Sequence, residues 1–280
     1  MKVSAFLGLA MFAGFAALGG CSSNPAPAAT ATAASGGDSA AVADATATFP
    51  PGREGKLLAY GKSILTNTPT VMKGYVTAGM SCEACHLNAG TKAHATSLIG
   101  AAARFPQWNK RSKRYIFLQD RLAECFLYSE NGRPPAYNSR EMIALAAYVT
   151  SLSNGAKIGS KGFPGQALIE FKPDHTADPH AGATVYTQKC LSCHGANGQG
   201  GGNGLFPPLW GAKSFNNGAG MHHLGTMAAF VRYNMPWNGP INVLSKQEAY
   251  DVAAYVLSHP RPVFDKTRLI SFPAVEADKI

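Results

Sequence analysis

Acidic residues are scarce in this 280-residue chain: 16 Asp and Glu stand against 25 Lys and Arg, which gives a formal net charge of +9. This imbalance favours small anions or an acidic protein as binding partners. No recognition helix and no alternation of aromatic and basic residues accompanies it, so we expect no nucleic-acid partner. Strand-rich segments are missing as well, which favours an all-α fold.

Long apolar segments are also missing. The stretch Val3–Leu18 is too short and too rich in small residues for a spanning helix, so residues 1–20 are predicted to be an export signal. The signal ends in Leu-Gly-Gly-Cys21-Ser-Ser, which resembles the processing site of a bacterial lipoprotein. The alternative is an ordinary signal peptide that is cut nearby. Residues 21–50 have almost no large apolar side chains and are predicted to form a disordered tether.

This N-terminal pattern predicts where the protein is located. Cys21 would become the lipidated first residue of the mature chain, and Ser22 in place of Asp is typical of lipoproteins sorted to the outer membrane. Such a lipid tethers a protein without spanning the bilayer. We therefore expect a periplasmic protein that is anchored to the outer membrane of a Gram-negative bacterium and touches the membrane only through this lipid.

The remaining chain contains a repeated motif. Its two copies read Cys82-Glu83-Ala84-Cys85-His86 and Cys190-Leu191-Ser192-Cys193-His194. Each copy is followed by the sequence Ala-Ala-Tyr-Val, at residues 146–149 and 253–256. C-x-x-C-H is the signature of covalent c-type haem attachment, in which both thiols form thioethers and the His binds iron. The sequence therefore predicts two haem c groups.

The six cysteines are all accounted for by this interpretation. They divide into Cys21, the four haem thiols and Cys125, so no pair remains for a disulfide. Zinc ribbons also use C-x-x-C pairs, but the His directly after each pair favours haem. We predict two tandem cytochrome c-type domains, at residues 51–158 and 179–280, joined by a linker at 159–178.

Each domain is expected to begin and end with a helix. Helical periodicity predicts opening helices over 55–65 and 183–190, and closing helices over 139–152 and 245–258. Ser139 is a predicted N-cap, and Ser245 with Glu248 resembles a capping box. Between the haem motif and the closing helix, irregular chain is expected to cover the haem and supply a second axial ligand.

The second domain offers five candidates for that ligand: Met221, Met227, Met235, His222 and His223. Methionine is often only a flexible core filler. Met235, 41 residues after His194, is favoured because it precedes a proline in a loop, where a thioether reaches the porphyrin without breaking a helix. The two histidines are interpreted as pocket or loop residues.

The first domain differs at this point. It has no methionine at the comparable distance but has Cys125, 39 residues after His86. A lone cysteine is usually an inert buried hydrophobe. Here the absence of a methionine and the matched distance favour a ligand instead.

Positive charge surrounds Cys125. Arg121, Cys125 and Ser129 are spaced by four residues and share one face of a helix predicted over 115–129. Residues 104–121 contain six basic side chains, Arg121 among them, and a single acid, Asp120. Nearby guanidinium groups lower the pKa of a thiol and favour the thiolate. The pattern predicts an anion-binding pocket at a thiolate, and the alternative is a solvated basic surface.

Together these residues resemble the dihaem thiosulfate dehydrogenase family, which interconverts thiosulfate and tetrathionate. The resemblance covers about residues 50–280. Its motifs are Ser81–Leu87, Gly90-Thr91, Phe105-Pro106, Asp120-Arg121 to Cys125, Ser129 to Gly132, Phe230 to Pro236, and Asp251–Tyr255 to Arg261-Pro262.

The resemblance implies axial ligands for both irons. They would be His86 with Cys125 at the first haem and His194 with Met235 at the second. In the family a neighbouring Lys can exchange with the methionine. Asn234 occupies that position here, which implies simple His/Met ligation.

The resemblance also implies which residues bind substrate near the cysteine. By spacing they are Arg111, Arg121 and Ser129. Thiosulfate is a dianion, and the planar fork of arginine suits its oxyanion group. Where the family often has Arg-Ser-Met-Asn-Gly, this chain has Tyr128-Ser-Glu130-Asn-Gly. The lost arginine and the added acid predict weaker anion binding.

The implied reaction joins two thiosulfates into tetrathionate through a sulfur adduct on Cys125. Electrons would pass from the first haem to the second and on to a soluble or membrane-bound cytochrome or similar acceptor. The dominant direction stays open. One alternative is a dihaem electron carrier without catalysis. Another is a sulfur-oxidising haem subunit that conjugates thiosulfate to a carrier protein. The second Met-ligated domain and the Asn131-Gly132 motif favour the dehydrogenase.

Overall fold

The computed structural model describes residues 49–200 and 206–268. The predicted export signal, Cys21 and nearly all of the predicted tether lie outside the described residues, as do residues 269–280. Within the described ranges, no helix has the length and apolar character needed to cross a membrane.

Both domains are built mainly from helices. In the first domain the helices are α1 Arg53–Thr66, α2 Thr68–Val71, α3 Leu118–Tyr128 and α4 Arg140–Ser151. In the second they are α5 Pro179–Lys189, α6 Leu191–His194, α7 Leu224–Asn234 and α8 Lys246–Ser258. The four predicted opening and closing helices are confirmed as α1, α4, α5 and α8, each within four residues of its predicted start.

The closing helices begin where their caps predict. The Ser139 hydroxyl accepts a hydrogen bond of 3.2 Å from the Met142 amide at the start of α4. At α8 the capping box is complete: the Glu248 amide donates to the Ser245 hydroxyl at 3.1 Å, and the Ser245 amide donates to the Glu248 carboxylate at 2.7 Å. These bonds satisfy amides that have no partner within the helix.

The helix predicted over residues 115–129 is too long by one turn at its start. Tyr115 belongs to a short hairpin in which β1 Gln107–Asn109 pairs with β2 Arg114–Ile116, and it lies opposite Trp108. Their rings make an edge-to-face contact of 5.5 Å between centroids. Aromatic and β-branched residues favour such pairs. Helix α3 begins only after Phe117, whose amide donates to the Asp120 carboxylate at 2.7 Å.

In each domain the opening and closing helices cross each other in the same way. A Cβ atom built on Gly61 in α1 would lie 2.0 Å from the Ala144 carbonyl oxygen and 2.7 Å from the Tyr148 Cβ in α4. One built on Gly182 in α5 would lie 2.0 Å from the Asp251 carbonyl oxygen in α8. In both domains the opening and closing helices therefore touch backbone to backbone, beside the repeated Ala-Ala-Tyr-Val sequence.

We expect Gly61→Ala to lower the free energy of unfolding of the holoprotein by about 2 kcal/mol, because the added methyl must push α1 and α4 apart. Gly225→Ala in α7 is a matched control, since its Cβ would meet only the Tyr250 hydroxyl, at 3.4 Å. Higher helix propensity should leave that variant unchanged or more stable by up to about 1 kcal/mol. Urea unfolding followed by circular dichroism measures both, and equal midpoints would contradict the close crossing.

The first domain carries extra chain between its opening helix and its haem motif, residues 67–81. This segment packs against the chain that follows α3. The amides of Thr77 and Ala78 both donate to the Glu130 carbonyl, at 3.2 and 3.0 Å, and the Arg133 amide donates to the Tyr75 carbonyl at 2.7 Å. In the second domain α5 ends at the residue before Cys190, so no such segment exists there.

The two domains meet at side chains that are fully buried. The Asn234 amide donates to the His94 carbonyl at 2.9 Å. Asn216 makes several bonds to the end of α3, including one of 2.8 Å from its side-chain amide to the Leu127 carbonyl. Because buried amides need partners, these residues fix where the second domain contacts the first.

Candidate haem and anion-binding sites

The first haem motif holds its histidine in a defined orientation. His86 Nδ1 donates a hydrogen bond of 2.6 Å to the Thr96 carbonyl, and the Thr96 hydroxyl donates to the Cys85 carbonyl at 3.0 Å. This leaves Nε2 for a metal, the arrangement that orients metal-binding histidines in proteins. Burial lowers the pKa of His86, which favours the neutral, metal-binding imidazole.

The groups expected around the first haem lie close enough to influence one another. Burial dominates the raised pKa of Cys82 and of Cys85, the charge of Glu130 comes next, and the charge of Cys125 makes a smaller contribution. The charge of Arg121 adds to the lowered pKa of His86. The structure therefore brings two thiols for thioether bonds, an imidazole and a further thiol to one site, a donor set that suits haem c.

The second motif lies at the junction of α5 and α6, with His194 as the last residue of α6. Burial lowers the pKa of His194, against a smaller raising effect from the Pro207 carbonyl. Its Nδ1 is buried and makes no hydrogen bond of regular geometry with the described residues, although the Pro207 carbonyl lies near enough to affect the ring. The five cysteines among the described residues are half-buried and form no disulfide with one another, so the four in the two motifs can attach haem. No three His, Cys, Asp or Glu side chains within 49–200 and 206–268 are placed to hold a bare metal ion.

The structure distinguishes candidate distal ligands of the second haem that are buried in the core from those that lie in loops. Met227 is buried in the core of α7, as expected of a packing residue. Met235 follows α7 directly, is half-buried, and packs with Met221 against a small cluster that contains Leu87 and Phe230. Met235 therefore lies in irregular chain, as predicted. His222 ends a short helical turn and its Nδ1 is buried without a hydrogen-bond partner among the described residues.

All three residues predicted to bind substrate line one cavity. Arg111, Arg121 and Ser129 surround a volume of about 280 Å³, together with residues from the hairpin and the 218–220 segment. Cys125 lies next to this cavity, as shown by its contact with a residue of the cavity wall: Arg121 Nη1 donates to Cys125 Sγ at 3.4 Å. Arg121 also pairs with Glu124 at 3.6 Å. The predicted proximity of arginine, serine and cysteine is thus present in the fold.

The expected thiolate is not explained by the protein charges. Burial raises the pKa of Cys125, Arg121 lowers it by less, and the acids Glu124 and Glu130 raise it further. Arg121 therefore lowers the pKa of Cys125 as the charge pattern predicts, but burial outweighs it, so the pKa of the free thiol is raised. Metal coordination removes a thiol proton outright, so coordination to the haem iron would supply the thiolate that the protein charges alone do not favour.

Arg111, the other arginine predicted to bind substrate, makes two contacts that orient its guanidinium group. The guanidinium carbon of Arg111 lies 4.2 Å from the centre of the Tyr128 ring, and its Nη2 donates to the Gly218 carbonyl at 3.1 Å. Gly218 belongs to the second domain and gives no chemical signal in the sequence. Only the folded structure identifies it as part of this site.

Glu130 does not lie at the edge of the cavity. It is 1 % exposed, and its carboxylate accepts a hydrogen bond of 3.5 Å from Cys82 Sγ. Burial raises the pKa of Glu130 to about 8. Glu130 therefore lies beside the first haem motif and not on the cavity wall, so its position does not support the predicted weakening of anion binding. Tyr128, the other departure from the family pattern, does line the cavity.

Comparison with known proteins agrees with this arrangement. Residues 73–158 match the SoxA/TsdA cytochrome c domain and residues 179–260 match cytochrome c. The predicted architecture of two cytochrome c domains, with two covalently bound haem c groups, is confirmed. The thiosulfate dehydrogenase of Allochromatium vinosum is 39% identical over 230 residues, 79% of this chain and 84% of that protein. The thiosulfate dehydrogenase of Stutzerimonas stutzeri is 41% identical, over 76% and 70% of the two chains.

A solved structure has the same fold. It is that of thiosulfate dehydrogenase (TsdBA) from Marichromatium purpuratum in its as-isolated form, with a TM-score of 0.72 and 34% identity. The match covers 76% of this chain and 48% of that one, so this chain spans about half the length of the solved protein. An L-cysteine S-thiosulfotransferase subunit SoxA from Pseudaminobacter salicylatoxidans is similar over only 81 residues, 29% of this chain, at 28% identity.

Proposed function

Because this chain belongs to the thiosulfate dehydrogenase family, we propose that it oxidises two thiosulfate anions to tetrathionate and delivers the electrons to an external cytochrome or similar acceptor. The observation that carries the proposal is the contact of 3.4 Å between the Arg121 guanidinium and Cys125 Sγ, beside a cavity that Arg111 also lines. Fixed positive charge and a sulfur nucleophile there match an anionic sulfur substrate.

The proposed haem ligands follow the two motifs. Cys82 and Cys85 would attach the first haem, and His86 and Cys125 would hold its iron. Cys190 and Cys193 would attach the second, and His194 and Met235 would hold its iron. When bound, the two haems accept one electron each, with thiolate ligation favouring a lower potential at the first and methionine a higher one at the second.

Substrate binding is an electrostatic problem. Two thiosulfates bring four negative charges into one cavity, and their repulsion opposes bond formation. Arg111 and Arg121 supply two positive charges on the cavity wall, and the Ser129 hydroxyl there supplies a donor. Glu124, which also lines the cavity, pairs with Arg121 and offsets part of this charge. Donors that are fixed before the reaction are worth more than water, which must reorient.

The chemistry is proposed to take place at Cys125. Cys125 would first leave the iron of the first haem. The terminal sulfur of one thiosulfate then forms a bond to Cys125 Sγ, which gives Cys–S–S–SO₃⁻ and releases two electrons, one for each of the two haems when they are bound. The terminal sulfur of the second thiosulfate then attacks the substrate-derived sulfur of this adduct. Tetrathionate forms, the bond to Cys125 breaks, and the cysteine leaves as a thiolate, as in thiol–disulfide exchange. Two thiosulfates thus give one tetrathionate and two electrons.

A product assay with the purified dihaem protein tests this function. Thiosulfate should reduce ferricyanide in its presence, with one tetrathionate formed for every two thiosulfates consumed. Incubation of tetrathionate with a low-potential reduced dye measures the reverse reaction. No thiosulfate-dependent reduction would favour a non-catalytic electron carrier. Consumption of thiosulfate only when a carrier protein is added, without tetrathionate, would favour the conjugating subunit.

A further inference from the structure

We propose that Tyr128, together with Gly218 of the second domain, positions the Arg111 guanidinium for the substrate anion, so that the anion site is completed by both domains. This inference rests on the proposed function. It assigns Tyr128 a positioning role at the place where the family resemblance leads one to expect an arginine. The tyrosine would then act through an arginine that comes from elsewhere in the chain.

The first observation is how Arg111 is held. Its side chain extends from an exposed position next to the hairpin, where a long arginine normally samples many rotamers. Here the guanidinium lies over the Tyr128 ring at 4.2 Å, and one of its nitrogens donates to the Gly218 carbonyl at 3.1 Å. A guanidinium has five N–H donors. One fixed bond and one ring contact orient the group and leave donors for an anion.

The second observation is that Tyr128 is itself fixed. It is 5 % exposed at the end of α3, and its ring makes an edge-to-face contact with Phe264, with centroids 4.7 Å apart. Phe264 belongs to the second domain, and its amide donates to the Asn217 side chain at 2.8 Å. A ring that is held in this way offers a stable face to a cation.

The third observation is the absence of a side chain at residue 218. A Cβ atom there would lie 2.6 Å from Tyr128 Cδ1 and 3.1 Å from Cε1, so the loop can approach the ring only with a glycine. Asn216, which is fully buried, fixes this loop. Its backbone amide donates to the Tyr128 carbonyl at 3.1 Å, and its side-chain oxygen accepts from the Gly218 amide at 2.9 Å.

Steady-state kinetics of a double-mutant cycle on the holoprotein test this role. Tyr128→Phe keeps the ring face and should retain the KM for thiosulfate. Tyr128→Leu removes it and should raise KM about fivefold, with kcat changed less than twofold. In an Arg111→Gln background the same Tyr128→Leu change should alter KM less than twofold, because the tyrosine acts through this arginine.

Two further measurements separate positioning from general packing. Gly218→Ala leaves Arg111 and Tyr128 unsubstituted but should still raise the KM for thiosulfate, because the added methyl forces the loop away from the Tyr128 ring. Urea midpoints and haem absorbance identify any variant that is merely misfolded. An equal effect of Tyr128→Leu with and without Arg111, or equal effects of Phe and Leu at position 128, would overturn the inference.

The failure of the inference is distinguishable from failure of the proposed function. Calorimetric titration with thiosulfate and with sulfate measures anion affinity without turnover. If the unmodified protein binds thiosulfate but does not oxidise it, the function is wrong, and a weaker affinity of Tyr128→Leu than of Tyr128→Phe still supports the positioning role. If the unmodified protein binds neither anion, both the function and the inference are wrong.

Discussion

Replacing Cys125 with alanine is expected to lower kcat for thiosulfate oxidation by about 10³-fold or more, because the residue that we propose to form the sulfur adduct is gone. KM should change little, since Arg111, Arg121 and Ser129 still line the cavity. Both haems should remain attached, because the four thioether cysteines are untouched. Ferricyanide reduction measures turnover, and the pyridine haemochrome spectrum measures haem content.

Cys125→Met is the matched control for this experiment. It keeps a sulfur atom that binds iron but removes the nucleophile. We expect its turnover to be as low as that of the alanine variant, while the low-spin thiolate signal of the oxidised first haem disappears and its potential rises. Turnover by Cys125→Met close to that of the unmodified protein would contradict the covalent mechanism, and undiminished turnover by Cys125→Ala would contradict any catalytic role.

Arg121→Gln is expected to give the second largest loss, about 10²-fold in kcat/KM, which is the effect of removing one preorganised donor at a developing charge. Arg121 contacts Cys125 Sγ at 3.4 Å and is the group that lowers the pKa of this thiol. The substitution therefore removes both an anion contact and the charge that opposes the effect of burial. Initial rates over a range of thiosulfate concentrations give kcat and KM separately.

Two variants make this experiment specific. Arg121→Lys keeps the charge but loses the planar fork, so it should recover only part of the lost rate. Lys113→Gln removes one positive charge from the turn of the hairpin, at an exposed residue that does not itself line the cavity. It should change kcat/KM less than twofold at moderate ionic strength. A loss comparable to that of Arg121→Gln would mean that general attraction of anions, and not a local contact, limits the rate.

Local sequence signals predicted the elements that carry the haems. The C-x-x-C-H motifs, the serine caps of α4 and α8 and the helical periodicities depend on residues near one another in the chain, and all four opening and closing helices are present. The start of α3 was misjudged because pairing of Tyr115 with Trp108 depends on a partner that helical periodicity does not report. Hydrogen bonding across the hairpin outweighs the local helical pattern.

Residues far apart in the chain account for what the sequence could not predict at the site. Gly218 contacts Arg111 across 107 positions, and a glycine in a loop carries no sign of an anion site. The spacing of Arg121 and Cys125 correctly predicted their contact, but it cannot report burial, which decides the pKa of the thiol. Glu130 was misjudged for a related reason, because its position in the sequence does not show that its carboxylate is buried against Cys82 while the adjacent Ser129 lines the cavity.

The extra segment 67–81 of the first domain limits how such a site can be transferred. Its residues bond to the chain just after Cys125, through the Glu130 and Arg133 backbone, and the second domain has no counterpart. Exchanging Met235 for cysteine would therefore copy a ligand but not the scaffold that surrounds it. If the two domains descend from one duplicated ancestor, the segment 67–81, and not only one changed side chain, distinguishes the copy that we propose to be catalytic from the copy that we propose to relay electrons.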